Sequence, residues 1–245
     1  MYLEEDGMEM REDVPRDCFY SGTVKGHSNS RVSVNTCGGM TGTISREGYE
    51  DVYIEPLHHA HAQKRGMDSA LGHVIYKAPK EIHNMECGVH DNEDHTMRQM
   101  RDIDLQNIVP TQKYLKLHIV ADHHYWANKG AESCKCITAT FQALAHRMAM
   151  LPGLNVLLSR ITIIKTNTIL NTTSDSSNNL WLVREWKNTQ PDEAQWDHVA
   201  LVVPMHMDVA GRAYSCSVCG GNKCSVSYIG SLFGVQVLAH EIGHK

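Results

Sequence analysis

Apolar and polar positions change rhythm about half-way along the chain. Between residues 17 and 57 they alternate with a period of two in four short runs, Phe19–Val24, 31–35, 41–45 and 51–56. Clusters of Gly, Asn and Ser separate these runs, the pattern of strands joined by hairpins. Residues 58–73 (HHAHAQKRGMDSALGH) read as a solvated surface turn. Residues 77–111 are polar, charged and nearly free of apolar periodicity, so they read as a linker with Cys87 in its middle. From Lys113 the pattern is different. Residues 114–121 are a mixed apolar run suited to a strand, and 133–151 place Ile137, Phe141, Leu144, Ala145 and Met148 at helical spacing until Pro152-Gly153 ends the run. Residues 155–165 and His198–Val203 are β-branched strands, with a polar loop over 171–179. Strand, helix, strand and strand followed by a helix is an α/β signature. The rhythm therefore predicts a β-rich segment ahead of an α/β unit, with no internal repeat.

The last eleven residues carry a third pattern. Val235, Leu238, Ala239 and Ile242 follow i, i+3, i+4 and i+7, which predicts a helix with one face in the core. His240 and His244 are four apart and lie one above the other on a single face of that helix. Two imidazoles so placed can take two corners of a zinc tetrahedron, and Glu241 beside them is placed to take a proton from the attacking water. The competing explanation of the same residues is an amphipathic helix with surface histidines.

Composition narrows the possibilities. The chain has 245 residues, 42% hydrophobic, with a formal net charge of -5, which argues against a nucleic-acid partner. No apolar run approaches the ~18 residues that a membrane span needs. Sixteen histidines are several times ordinary usage, but only His240 and His244 have ligand spacing. His123 and His124 follow a strand and show no partner in the sequence, and His58, His59 and His61 read as a solvated turn. The eight cysteines do not form a small disulfide knot. Cys18 and Cys37 stand apart between alternating segments and would close one loop. The other five besides Cys87 cannot all pair with one another. In Cys216-x2-Cys219-x4-Cys224 disulfides are preferred over a small zinc site, because no fourth ligand stands at suitable spacing. Residues 1–16 are acidic and lack an apolar signal core, so either a signal peptide lies outside this sequence, the preferred reading, or the protein stays inside the cell. Asn171-Thr172-Thr173 is a glycosylation sequon in a polar stretch.

Three features accompany the helix motif. A Cys87 thiolate in Met85-Glu86-Cys87-Gly88-Val89 is a competent zinc ligand that can fill an open coordination position. Arg98-Gln99-Met100-Arg101 is an Arg-x-x-Arg site of the kind proprotein convertases cut, a dozen residues ahead of the α/β segment. Residues 211–214 precede a cysteine-rich loop that leads into the helix.

Together these residues resemble a reprolysin-type metzincin, the family of disintegrin-and-metalloprotease proteins and snake-venom metalloproteases. Cys18-Phe19-Tyr20-x-Gly22, Ser33-Val34-x-x-Cys37-x-Gly39-x-x-Gly42 and Tyr53-Ile54-Glu55-Pro56-Leu57 are similar to its propeptide. Lys113-Tyr114 to Ala121-Asp122-His123 and Asp197-His198-x-Ala200-Leu201 are similar to strands of its catalytic domain. Gly211-x-Ala213-Tyr214 through Cys219 and Cys224 to His240-Glu241-Ile242-Gly243-His244 resembles most the branch bearing thrombospondin motifs.

The resemblance implies a propeptide with a cysteine-switch linker over 1–101 and a catalytic domain over 102–245, α/β with a mixed, mostly parallel sheet and an active-site helix. It implies zinc ligation by His240 and His244, a general base at Glu241, latency through Cys87, cleavage at Arg98 and Arg101, and pairing of an extended substrate with Gly211, Arg212, Ala213 and Tyr214. Extracellular protein substrates, a proprotein convertase and secretion follow from the same resemblance. The family pattern continues Gly-x-x-His to a third ligand and then a methionine turn, whereas this sequence stops at Lys245, so the catalytic domain is expected to be truncated. Calcium is doubtful, because Lys116 stands where the family has an acid, although Asp197 matches another usual ligand. The alternative reading is an inactive propeptide and protease-like fragment acting as a binding or decoy module.

Overall fold

The computed structural model describes residues 2–5, 8–11, 17–37, 39–57, 64, 66, 72–77, 112–149, 151, 153–215 and 218–244. They form two β-sheets. A five-stranded antiparallel meander runs in the order β3(Phe19–Val24), β4(His27–Asn35), β5(Thr41–Arg46), β6(Val52–Pro56) and β7(His73–Lys77). Four of these strands are the alternating runs of the sequence. The fifth, β7, falls where the sequence suggested the end of a surface turn. It is three-fifths apolar, but it is legible as a strand only once β6 is there to pair with, Tyr53 opposite Tyr76. A disulfide joins Cys18 and Cys37 with Cα atoms 5.2 Å apart. Gly39, just past it, has φ +96°, and a Cβ there would stand 2.8 Å from Pro56 Cγ, so a larger residue could not make this turn.

The second sheet has seven strands in the order β11-β12-β10-β8-β9-β1-β2. Its centre is β8(Lys113–Ala121), β9(Leu154–Ile163), β10(His198–Val203) and β12(Cys224–Tyr228), all parallel, with β11(Gly211–Ala213) antiparallel along β12. At the opposite side, β1(Tyr2–Glu5) pairs parallel to β9 and antiparallel to β2(Met8–Arg11). The first residues, read from sequence as an acidic stretch at the head of the 1–101 segment, thus extend the α/β sheet. Pairing across some 150 residues leaves no local trace.

Helices lie on both faces of this sheet. The helix α1(His123–Lys129) follows β8, α2(Ser133–Met148) leads to β9, α3(Ser176–Asn188) precedes β10, and α4(Val235–Gly243) follows β12. Strand β10 is buried on both faces, as central parallel strands are. Its Ala200 and Val202 join Leu117, Ile119, Leu144 and Leu238 in one core, and its Val199, Leu201 and Val203 join Leu180, Val183 and Trp196 in the other. The chain is therefore α/β, as the apolar rhythm predicts, with the mostly parallel sheet that the resemblance implies. Helices α1 and α3 were not legible. The N-terminus of α3 is a run of Ser and Asn, and what starts it is the Asp175 side chain, which accepts from the N–H groups of Ser177 and Asn178.

Candidate active site

The spacing of α4 works out as predicted. Val235, Leu238 and Ile242 are at most 4% exposed, which turns His240 outward and leaves His244 half-buried. The two Nε2 atoms lie 3.0 Å apart with the rings at 88°. A tetrahedral zinc with Zn–N of ~2.0–2.1 Å would hold two nitrogens about 3.3 Å apart, so the pair fits such an ion after opening by a few tenths of an ångström. A carboxylate oxygen of Glu241 lies within 4.8 Å of both histidine ligand atoms. Glu241 is 1% exposed, and the backbone of β11 runs directly across it. A Cβ on Gly211 would come 2.6 Å from Glu241 Oε1, so glycine is what lets the strand approach the carboxylate this closely.

Strand β11 is the last strand of the sheet, with Gly211 opposite Ser227 and Ala213 opposite Ser225. Of the four residues expected to meet substrate, Gly211, Arg212 and Ala213 are in the strand and Tyr214 follows it. The Arg212 side chain fastens the strand to the start of α3. Its Nε donates to Ser176 Oγ at 2.8 Å, and its guanidinium lies 3.6 Å from Asp208. The Tyr214 ring sits 5.9 Å from the Arg184 guanidinium, and partial burial raises its phenol above the usual range.

The front of α4 is where the first sheet docks. Glu55 accepts the Leu232 N–H at 3.2 Å, Gln236 Nε2 donates to the Tyr53 hydroxyl, and Tyr53 meets Phe233 edge to face at 5.5 Å. Burial pushes the Tyr53 hydroxyl up to about 12. Sequence reading missed these contacts, because each joins residues about 180 apart.

Other expectations have mixed outcomes. Cys87, Arg98 and Arg101 lie outside the described residues, as does Cys216. Cys219 is exposed with Sγ 3.5 Å from Asp197 Oδ1, and Cys224 is fully buried in β12, so these two cysteines are not bonded to each other. Asp197 also accepts the Lys116 N–H at 2.8 Å. It belongs to neither group of potential metal ligands among the described residues, which leaves calcium unsupported. Asn171 is exposed. His123 and His124, set aside in the sequence, stand with Asp122 in the second such group. The signal available was Asp-His-His at the very end of an apolar strand.

The comparison with protein families decides the identity. Residues 113–245 match the Reprolysin (M12B) family zinc metalloprotease model, more than half of the chain. The chain belongs to the reprolysin family. Relatives of two kinds match. Disintegrin and metalloproteinase domain-containing protein 2 of Oryctolagus cuniculus is 23% identical over 91% of this chain, and that of Rattus norvegicus is 27% identical over 88%. A disintegrin and metalloproteinase with thrombospondin motifs 10 of Mus musculus is 22% identical over 99%. The chain spans little more than a quarter of these relatives, 28%, 28% and 26% of their lengths. The crystal structure of metalloproteinase-II from Bacteroides fragilis shares the fold, with TM-score 0.54 at 13% identity over 99% of this chain and 73% of that one. The matched family is one of zinc metalloproteases, and the matched residues include the whole of α4.

Proposed function

We propose that residues 1–101 form the propeptide, and 102–245 catalytic-domain sequence, of a secreted zinc metalloendopeptidase that cuts extracellular proteins. The observation that carries this reading is the convergence of His240 and His244 Nε2 beside Glu241, on a helix crossed by an edge strand. His240 and His244 hold the zinc, which when bound supplies Lewis acidity at the scissile carbonyl and makes water more acidic. Glu241 accepts the proton of the attacking water and delivers it to the leaving amine. The outer edge of Gly211–Ala213 binds an extended peptide by strand addition, which aligns the scissile bond over Glu241. Cys87 keeps the zymogen latent by taking the open coordination position, and a proprotein convertase cutting after Arg101, with Arg98 in its site, releases it. The exposed Asn171 carries a glycan.

Two histidines hold zinc weakly, since open catalytic sites normally have three protein ligands. The 245-residue chain is therefore expected to show little or no chelator-sensitive cleavage of a protein substrate. Continued by the family's Gly-x-x-His, and freed of residues 1–101, it should become active. In that form Glu241→Gln should lower kcat by about 10²–10⁴-fold, and Cys87→Ser should raise activity before propeptide removal. An extended, processed chain that binds substrate without cutting it would instead support the binding-module reading.

A further inference from the structure

A second set of ligating side chains lies far from α4 in the sequence. One ligand atom from each of Asp122, His123 and His124 falls within 4.8 Å of the other two. We propose that Asp122, His123 and His124 form a second metal site, which takes a divalent transition-metal ion of the zinc class and leaves its fourth position to water.

The donor set is the first argument. Two imidazoles and a carboxylate are a set that zinc accepts in sites with an open position. Tetrahedral ligation spaces such atoms about 3.3–3.6 Å apart. Closing the cluster onto an ion therefore asks for roughly an ångström of movement, which two half-buried histidine side chains can supply by rotation.

The second argument is the carboxylate. Asp122 is 0% exposed, and its Oδ1 accepts the Tyr125 N–H at 2.8 Å while Oδ2 accepts the Thr172 hydroxyl at 2.6 Å. Those neutral donors fix its orientation, as outer partners of metal-bound carboxylates do. Burial raises the pKa of the carboxyl, while the hydrogen bonds from Thr172 and Tyr125 act in the opposite direction. Capping of α1 explains the bond to Tyr125 but not the two imidazoles gathered beside the same carboxylate.

The histidines supply the third argument. Their ring centroids are 3.9 Å apart at a tilt of 38°. His123 Nδ1 is buried with no hydrogen-bond partner among the described residues, a condition that coordination through that nitrogen would remove. The cluster also stands at the carboxyl end of β8, beside Val202 of β10, whose carbonyl is 3.5 Å from the Asp122 nitrogen. The carboxyl ends of parallel strands are where α/β sheets bind ligands.

The test is zinc titration of the full 245-residue chain carrying His240→Ala and His244→Ala, followed by calorimetry. One zinc equivalent should remain, and His123→Ala with His124→Ala should abolish it while the thermal melt stays cooperative. Thr172→Val, which leaves all three ligands in place, should weaken that equivalent by about 10–100-fold. Should the quadruple variant fail to fold, His124→Ala alone on the same background supplies the reading through at least a tenfold loss of affinity. Absence of any equivalent in the starting variant, or an equivalent indifferent to residues 123 and 124, overturns the proposal.

Discussion

The two sheets share one chain but are held together in opposite ways. In the seven-stranded sheet, β10 is buried along its whole length and two cores pack on its two faces. Among the described residues of the five-stranded sheet only Tyr53 is a buried hydrophobic residue, and it is buried by reaching Phe233 just ahead of α4. What that sheet lacks in core it makes up with a covalent bond, Cys18 to Cys37, and with polar docking through Glu55 and Gln236. A cavity of about 350 Å³ remains at this junction, lined by Glu55, Tyr125, Cys136 and Ser231 among others. One sheet can stand on its own apolar burial, while the other is an attachment whose order depends on the first. This difference suits the propeptide role proposed for the five-stranded sheet.

The contrast can be broken at its strongest point first. Lys187 is fully buried with Nζ 2.8 Å from Glu193 Oε1, and Lys223 shares the same carboxylate at 3.2 Å. Glu193→Ala leaves the buried Lys187 charge with only the Asn188 side-chain oxygen, and should cost about 2–4 kcal/mol of global stability in denaturant melts. A loss below 1 kcal/mol would show that the α/β unit does not rely on this pair. Removing the disulfide by Cys18→Ser and Cys37→Ser should cost about 3 kcal/mol for a closed loop of this length. Here the place matters more than the size. Hydrogen exchange should accelerate in β3–β5 and leave β8 and β10 protected, whereas uniform acceleration would mean that the sheets fold as one unit.

Acid should act the other way round. His118 is fully buried against Trp196, and burial, with Arg160 nearby, holds its imidazole well below its usual pKa. Unfolded, it takes up a proton near pH 6.5; folded, it does not. Stability from this residue is therefore intact above about pH 6.5 and is lost as pH falls towards the lower folded value, by at most about 1.4 kcal/mol per pH unit. His118→Gln should flatten the slope of stability between pH 6.5 and 5.5, and an unchanged slope would refute the assignment.

How much was legible from sequence follows the same division. The strand β10 and the helix α4 announce themselves because burial on both faces, or on one, writes a period directly into the residues. The chemistry of His240 and His244 is visible for the same reason, since four residues make one turn. The contact of Gly211 with Glu241 spans thirty residues, and the docking of Tyr53 on Gln236 about six times as many. Such contacts are set by sheet order, which local periodicity does not encode. The pairing of β1 with β9, and of Asp122 with Thr172, were hidden on the same grounds.

Zinc binding by the pair on α4 is the most direct measurement. In the full chain with His123→Ala, His124→Ala and Cys87→Ser, so that only the α4 pair is probed, calorimetric titration should show one weak zinc equivalent that His240→Ala removes. Retention of that equivalent after both His240 and His244 are replaced would contradict the account.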